Sequence, residues 1–221
     1  MLGAELESGV VAITVPKRRQ SPLSASHHLV SSMGKKVKVA ASSVIPSALF
    51  LGPRAAASAS QSFLGENAIT HVLSIGINPV GRVDGVTYCH VPLRDDPSAS
   101  ISKACDAACA FIDTALRAKN GTGRILIHCQ AGMSRSPTIV AAYLMKRRHM
   151  SLMQALKQIV DVRPQVCPNY GFIQQLKDLE MELFGVAVPS LELDELPKRE
   201  KDRLALFAKV EMPASSNNIA D

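Results

Sequence analysis

Short apolar runs and apolar positions at helical spacing take turns along the middle of this chain, and they mark out its elements. Val44-Ile45 and Leu49-Phe50-Leu51-Gly52, parted by a Pro46 turn, predict two strands, and residues 55–64 predict a helix closed by Gly65. Ile69-Thr70-His71-Val72-Leu73-Ser74-Ile75 and Val86-Thr87-Tyr88-Cys89-His90-Val91 predict buried strands, with Pro79 and glycines in the loop between them. Ser102 is placed to cap the next helix, in which Ile101, Ala104, Cys105, Ala108, Ile112, Ala115 and Leu116 share one face. Asn120-Gly121-Thr122-Gly123 ends it, and Ile125-Leu126-Ile127 predicts another buried strand. The helix after that, over residues 138–145, is apolar on nearly all sides and is expected to be central. Lys146-Arg147-Arg148 supplies cations to the negative end of its dipole. Ser151 is placed to cap a helix carrying Leu152, Ala155, Leu156, Ile159 and Val160, which Pro164 breaks. Pro168-Asn169 opens a last helix with Phe172, Ile173, Leu176, Leu179 and Leu183 inward, ending near Gly185.

Strands alternating with helices predict one α/β domain over residues 44–185, built on a mostly parallel sheet. Residues 1–43, rich in Ser and basic residues, read as a flexible leader, with residues 10–15 as a possible short strand. Residues 186–221 read as a flexible polar tail. Lys17-Arg18-Arg19 and Lys35-Lys36-Val37-Lys38 fit either solvated linker charge or a nuclear address or kinase-docking patch. Lys198-Arg199-Glu200-Lys201 before Leu204-Ala205-Leu206 has the form of a kinase-docking peptide, a pattern also frequent by chance.

Composition narrows the class. With 221 residues and 47% apolar content there is room for one core plus tails, and with no Trp and 4% aromatics that core is mainly aliphatic. A net charge of +6 favours phosphorylated ligands but is modest for a nucleic-acid binder, and none is expected as a partner. No run of eighteen apolar residues exists, so no membrane span is expected. The first residues lack the basic head and apolar middle of a secretory signal; residues 8–43 leave an organelle address open, with Glu5 and Glu7 against it. Five Cys residues without framework spacing point to a reducing compartment, cytoplasm or nucleus. Cys105 and Cys109 lie four apart on one helix without further ligands, so packing rather than metal binding is expected, and neither metal nor cofactor is assigned.

The chemistry concentrates in His128-Cys129-Gln130-Ala131-Gly132-Met133-Ser134-Arg135-Ser136, between the last strand and the central helix. A loop feeding a helix can aim successive N–H groups at one point, and the helix dipole adds to their field. Arg135 can fork onto two oxygens of a phosphoryl group, and Cys129 among those donors is expected to be a thiolate, the nucleophilic form. Pro137 is tolerated in the first turn, and Ser134 or Ser136 can cap it. An inert buried Cys beside Arg135 would leave that charge unpaired.

His-Cys, five residues, then Arg-Ser resembles the signature of the protein tyrosine phosphatase superfamily. Ile45-Pro46 with Leu49-Phe50-Leu51-Gly52, Val91-Pro92-Leu93-Arg94-Asp95, Phe111-Ile112-Asp113, Ala142-Tyr143-Leu144-Met145 and Pro168-Asn169 with Gly171-Phe172 are similar to the dual-specificity phosphatase catalytic domain, over residues 44–185. The resemblance implies a protein tyrosine phosphatase-like fold, a central mixed, mostly parallel sheet with helices on both faces. It implies Cys129 as nucleophile, the 130–135 loop as phosphate cradle with Arg135 as clamp, and Asp95 as general acid and then base. The alternative acid is Asp96; the register from Asp95 to Asp113 favours Asp95. Ser136 resembles the hydroxyl that helps the thiolate leave, and His128 and Asn169 resemble bracing residues. Cys89 or Cys167 could form a disulfide with an oxidised Cys129, as in some relatives. The loop interior, Gln130-Ala131-Gly132-Met133-Ser134, carries no charge, unlike that of phosphoinositide relatives, which favours phosphorylated proteins as substrates, with mitogen-activated protein kinases a candidate partner class. The other readings are glucan or RNA phosphates, or a non-enzymatic phosphopeptide-binding or kinase-tethering module, against which the joint presence of Cys, Arg and Asp argues.

Overall fold

The computed structural model describes residues 41–58 and 62–212. Among these residues five strands form one sheet: β1 (Ser42–Ile45), β2 (Leu49–Pro53), β3 (His71–Ile75), β4 (Thr87–Val91) and β5 (Ile125–Cys129), in the order β1-β2-β5-β3-β4. Only β1 runs antiparallel; β5 lies at the centre, parallel to β2 and β3. The period-two alternation of strands divides their side chains between two apolar clusters. Leu49, Leu51, Leu73, Ile75, Ile125, Ile127 and Cys129 face the larger one, with α2 (Ser102–Gly121), α3 (Arg135–Arg148), α4 (Leu152–Val162) and α5 (Tyr170–Phe184). Phe50, Val72 and Leu126 face a smaller one, covered by a short 3-10 turn at Arg54–Ala57 and by α1 (Phe63–Glu66). Helices therefore flank both faces unequally, and the single helix expected over residues 55–64 is replaced in the described part by these two short pieces.

Helix α3 is the central one: residues 136–145 are all buried. Its last-turn cations reach α2, where Lys146 pairs with Asp106 at 2.8 Å and Arg147 with Asp113 at 2.8 Å. Ser151 caps α4 in a reciprocal box with Gln154. Ser102, by contrast, makes no capping bond; the orphan N–H of Ile101 is met by the Gln175 side chain of α5 at 2.9 Å.

The largest departure is after Gly185. Residues 186–212 do not trail off as a polar tail but fold back on the domain, with Leu191, Leu196 and Phe207 fully enclosed and α6 (Glu200–Phe207) packed on α4. This rotates the buried face of α5. Leu183 is 39% exposed, while Lys177 and Glu180 are buried. Glu180 lies at the N-terminus of α4, accepting from Leu152 N, Ser190 N and Ser190 Oγ, each at 2.7 Å. Lys177 Nζ meets Asp194 at 2.9 Å. The buried Arg203 donates to the carbonyls of Pro164, Pro197 and Lys198. A few deep anchors and buried hydrogen bonds, rather than a continuous apolar stripe, hold this segment. In the stretch with kinase-docking form, residues 198–206, the part from Glu200 is thereby folded into a helix instead of being extended and free. The basic clusters of the first 38 residues and residues 10–15 lie outside the described residues, as do those beyond 212.

Phe207→Ala is expected to lower the unfolding free energy by about 3–5 kcal/mol. Leu204→Ala, at a position 38% exposed, is expected to cost less than about 1 kcal/mol. Guanidinium unfolding of the two variants beside the parent measures both.

Candidate active site

β5 delivers its last residue, Cys129, at the carboxyl end of the central strand, between the ends of β2 and β3. The chain passes from β2 to β3 across β5, so this is the switch point of the sheet, where α/β folds hold ligands. Cys129 is 2% exposed. Its Sγ accepts from Gly132 N and from Ser136 Oγ, both at 3.3 Å. Burial raises the thiol's pKa, but the hydroxyl and N–H of Ser136, the N–H of Gly132 and the charge of Arg135 outweigh it, and the net shift is downward toward the thiolate. Cys105 and Cys109, buried in α2 without such donors, are pushed up to about 12 and about 11 and stay thiols.

The carbonyls of residues 130–134 are all tied to the surrounding protein. Arg54 N holds Gln130 O at 3.2 Å, Arg163 holds Ala131 O at 3.1 Å and Gly132 O at 2.9 Å, Cys167 N holds Met133 O at 2.8 Å, and Thr138 N holds Ser134 O at 3.1 Å. A trans peptide points its N–H opposite its carbonyl, so binding the carbonyls outward turns N–H groups inward. Among the described residues the N–H groups of Ala131, Met133 and Ser134 have no acceptor in the protein. Gly132 takes φ +66°, and a Cβ there would lie 2.5 Å from Gly52 O, so only glycine fits this tight approach to β2.

Arg135 opens α3 with its side chain 13% exposed, and its Nε is buried without a hydrogen-bond acceptor. That donor is ion-paired with the Asp95 carboxylate but spends no hydrogen bond on it, so it can still bond an anion's oxygen. Asp95 stands 3.6 Å away across the loop mouth. Its Oδ1 accepts from Ser134 Oγ at 2.6 Å and from Asn169 Nδ2 at 3.0 Å. Asp96 instead folds onto its own loop, accepting from Ser98 N and Oγ, which lower its pKa. Of the two acids, Asp95 is the one that reaches the Cys129 loop. Neither Ser134 nor Ser136 caps α3; both hydroxyls are turned to the site, one to Asp95 and one to Cys129. His128 is fully buried; burial pushes it down to about 4, so it is neutral. Its Nδ1 lies 3.3 Å from the Cys129 carbonyl, which can only accept, so Nδ1 carries the proton and Nε2 accepts from Ser74 Oγ at 2.8 Å.

A model of the dual specificity phosphatase catalytic domain matches residues 49–182. The chain belongs to the dual specificity phosphatase family. Dual specificity protein phosphatase 1 of Arabidopsis thaliana is 40% identical over 143 residues, 64% of this chain and 70% of the relative. Human dual specificity protein phosphatase 18 is 34% identical over 152 residues, covering 68% of this chain and 79% of the relative. The crystal structure of human DUSP28 superposes with a TM-score of 0.60 at 32% identity, covering 68% of this chain and 99% of that one. The protein is thus an enzyme, a protein tyrosine/serine/threonine phosphatase, and its family works through a cysteinyl-phosphate.

Two residues of this phosphatase's site went unread in the sequence. Arg163, 3% exposed, braces the loop from behind; its only signal was a charged residue where a helix ends, directly before Pro164. Gly76, at the end of β3, takes φ +73°, and a Cβ there would lie 2.6 Å from an Arg135 guanidinium nitrogen and 2.2 Å from Leu93 O, so it leaves room for the Arg135 side chain. The cysteines also separate. Cys89 is paired across β4 and β3 from Leu73, itself opposite Ile127, so it stands two strands away from β5, roughly 9–10 Å and beyond disulfide reach. Cys167 borders the loop through its N–H to Met133. Among the described residues no three His, Cys, Asp or Glu stand together as metal ligands.

Ser136→Ala removes a donor that favours the thiolate, so the Cys129 pKa rises. The acid limb of kcat/KM against pH is expected to move to higher pH, read with a small aryl phosphate. Arg163→Lys keeps the charge but loses the fork, leaving one of two carbonyls unmet at a cost of about 1–3 kcal/mol. A lower melting temperature together with a lower kcat/KM checks it.

Proposed function

We propose that Cys129 is the nucleophile of this phosphatase, Arg135 its phosphate clamp and Asp95 its general acid and base. The Cys129 sulfur attacks phosphorus, forming S–P as the ester P–O bond breaks. Asp95 gives its proton to the departing oxygen of the phosphoresidue. Arg135 and the inward N–H groups of residues 131–134 carry the charge that spreads over the equatorial oxygens. In the second step Asp95 takes a proton from water, water attacks phosphorus, and S–P breaks to release phosphate. Ser136 Oγ then donates to the sulfur as it regains its charge. Asn169 and Ser134 orient Asp95, and His128 fixes the carbonyl of Cys129. The observation that carries this reading is the convergence of a lowered-pKa thiol, an Arg135 Nε without a hydrogen-bond acceptor and the braced Asp95 carboxylate on one loop.

Phosphorylated proteins are the substrates, and the uncharged interior of residues 130–134 suits a single phosphoryl group. Mitogen-activated protein kinases as partners rest on basic segments; with residues 200–206 of the tail segment folded into α6, that expectation falls to the clusters at residues 17–19 and 35–38. The cysteine usage carries the expectation of a reducing compartment, cytoplasm or nucleus, and the same clusters that of a nuclear address. No helix of the described residues is long and apolar enough to cross a membrane.

Turnover of an aryl phosphate by the parent, lost in Cys129→Ser, is the expected result; a parent without turnover sinks the enzyme roles. Asp95→Ala is expected to slow esters of poor leaving groups by about 10²–10⁴, and activated aryl esters far less. Asp96→Ala is expected to leave both rates near the parent's, and an equal loss there would transfer the acid's role to it.

A further inference from the structure

A cleft of about 300 Å³ opens directly beside Asp95 and Ser134. Its near wall, with Asn169 and Tyr170, belongs to the matched phosphatase domain; its far wall, Glu195, Leu196 and Lys198, lies beyond residue 182, where that match ends. The far wall is fixed in place. Leu196 is buried, Lys177 binds Asp194, and Arg203 holds the carbonyls of Pro197 and Lys198 while also gripping Pro164. Yet the side chains of Glu195 and Lys198 are exposed and make no ion pair among the described residues. A rigid backbone carrying two unspent charges of opposite sign suits recognition better than stability, since neither charge holds the fold.

The direction of the reaction says what reaches this cleft. The phosphoryl group lies in the loop, and the oxygen that leaves it is the substrate protein's own, protonated by Asp95. The polypeptide therefore departs on the Asp95 side, where the cleft begins. Tyr170, 56% exposed, offers apolar surface along it. Resting on the phosphatase reading above, we propose that this cleft is the subsite for the stretch of substrate protein flanking the phosphoresidue, with Lys198 selecting an acidic neighbour and Glu195 a basic one. The segment after the catalytic domain is then a specificity element of this chain.

The test compares kcat/KM, at low salt, for phosphotyrosyl peptides with acidic, basic or neutral flanks and for p-nitrophenyl phosphate, which has no flank. Lys198→Glu is expected to lower the ratio of acid-flanked to neutral peptide about fivefold, the equivalent of one part-exposed ion pair. Glu195→Lys is expected to lower the ratio of base-flanked to neutral peptide by a similar factor. Both positions are exposed, and Lys198→Gln and Glu195→Gln, giving smaller changes in the same directions, serve as second variants. Flank ratios within twofold of the parent for all four variants, or changes no larger for peptides than for p-nitrophenyl phosphate, would overturn the subsite. Absence of p-nitrophenyl phosphate turnover in the parent would instead overturn the enzyme roles of Cys129 and Asp95, a failure read separately from that of the cleft.

Discussion

The outward-held carbonyls of residues 130–134 are the constraint on which the rest of the site depends. Peptide planarity turns this external grip into an internal electrostatic field, because whatever binds the oxygens orients the nitrogens. Without that field a thiol 2% exposed would have a raised pKa, as Cys105 and Cys109 do at similar depth. The groups that do the holding come from four places: the end of the β2 strand, the turn after α4, the segment before α5, and the first turn of α3. Much of the helical layer is thus tied to the reactivity of one sulfur.

That dependence separates what the sequence displayed from what it concealed. Cys129, Arg135 and the strand-loop-helix setting were legible because they are contiguous and because an apolar strand, a loop and an apolar helix have distinct periods. That Asp95 rather than Asp96 reaches this loop was legible through register. Arg163 and Gly76 were not, since each acts on the loop from a distant element through a contact that leaves no local pattern. The segment from residue 186 was misread for a related reason. Its polar composition is that of a solvated tail, but Leu191, Leu196 and Phe207 are spaced far apart and each finds a deep site. Glu180 and Lys177, which an amphipathic reading turns outward, are buried because that same segment satisfies them. Serines at helix starts misled twice. Ser102 yields its role to Gln175, while Ser134 and Ser136 give up capping to serve Asp95 and Cys129, a local rule broken where chemistry needs the group.

The way Asp95 is held has a consequence for motion. Its loop is joined to α5 at several points: Asn169 Nδ2 reaches Asp95 while its Oδ1 caps α5 by accepting from Phe172 N, at 3.0 Å each. Gln175 binds Ala99 O and Ile101 N, and a Cβ on Gly171 would lie 2.0 Å from Pro97 O, so loop and helix touch backbone to backbone. An acid on a swinging lid would have to close before each turnover, at the cost of ordering the loop. Here the ordering is already supplied by α5, and α5 is in turn covered by residues 186–212 through Lys177 and Glu180. The position of Asp95 therefore depends on a segment well outside the Cys129 loop, and the cleft beside Asp95 is bounded by groups that share one rigid support.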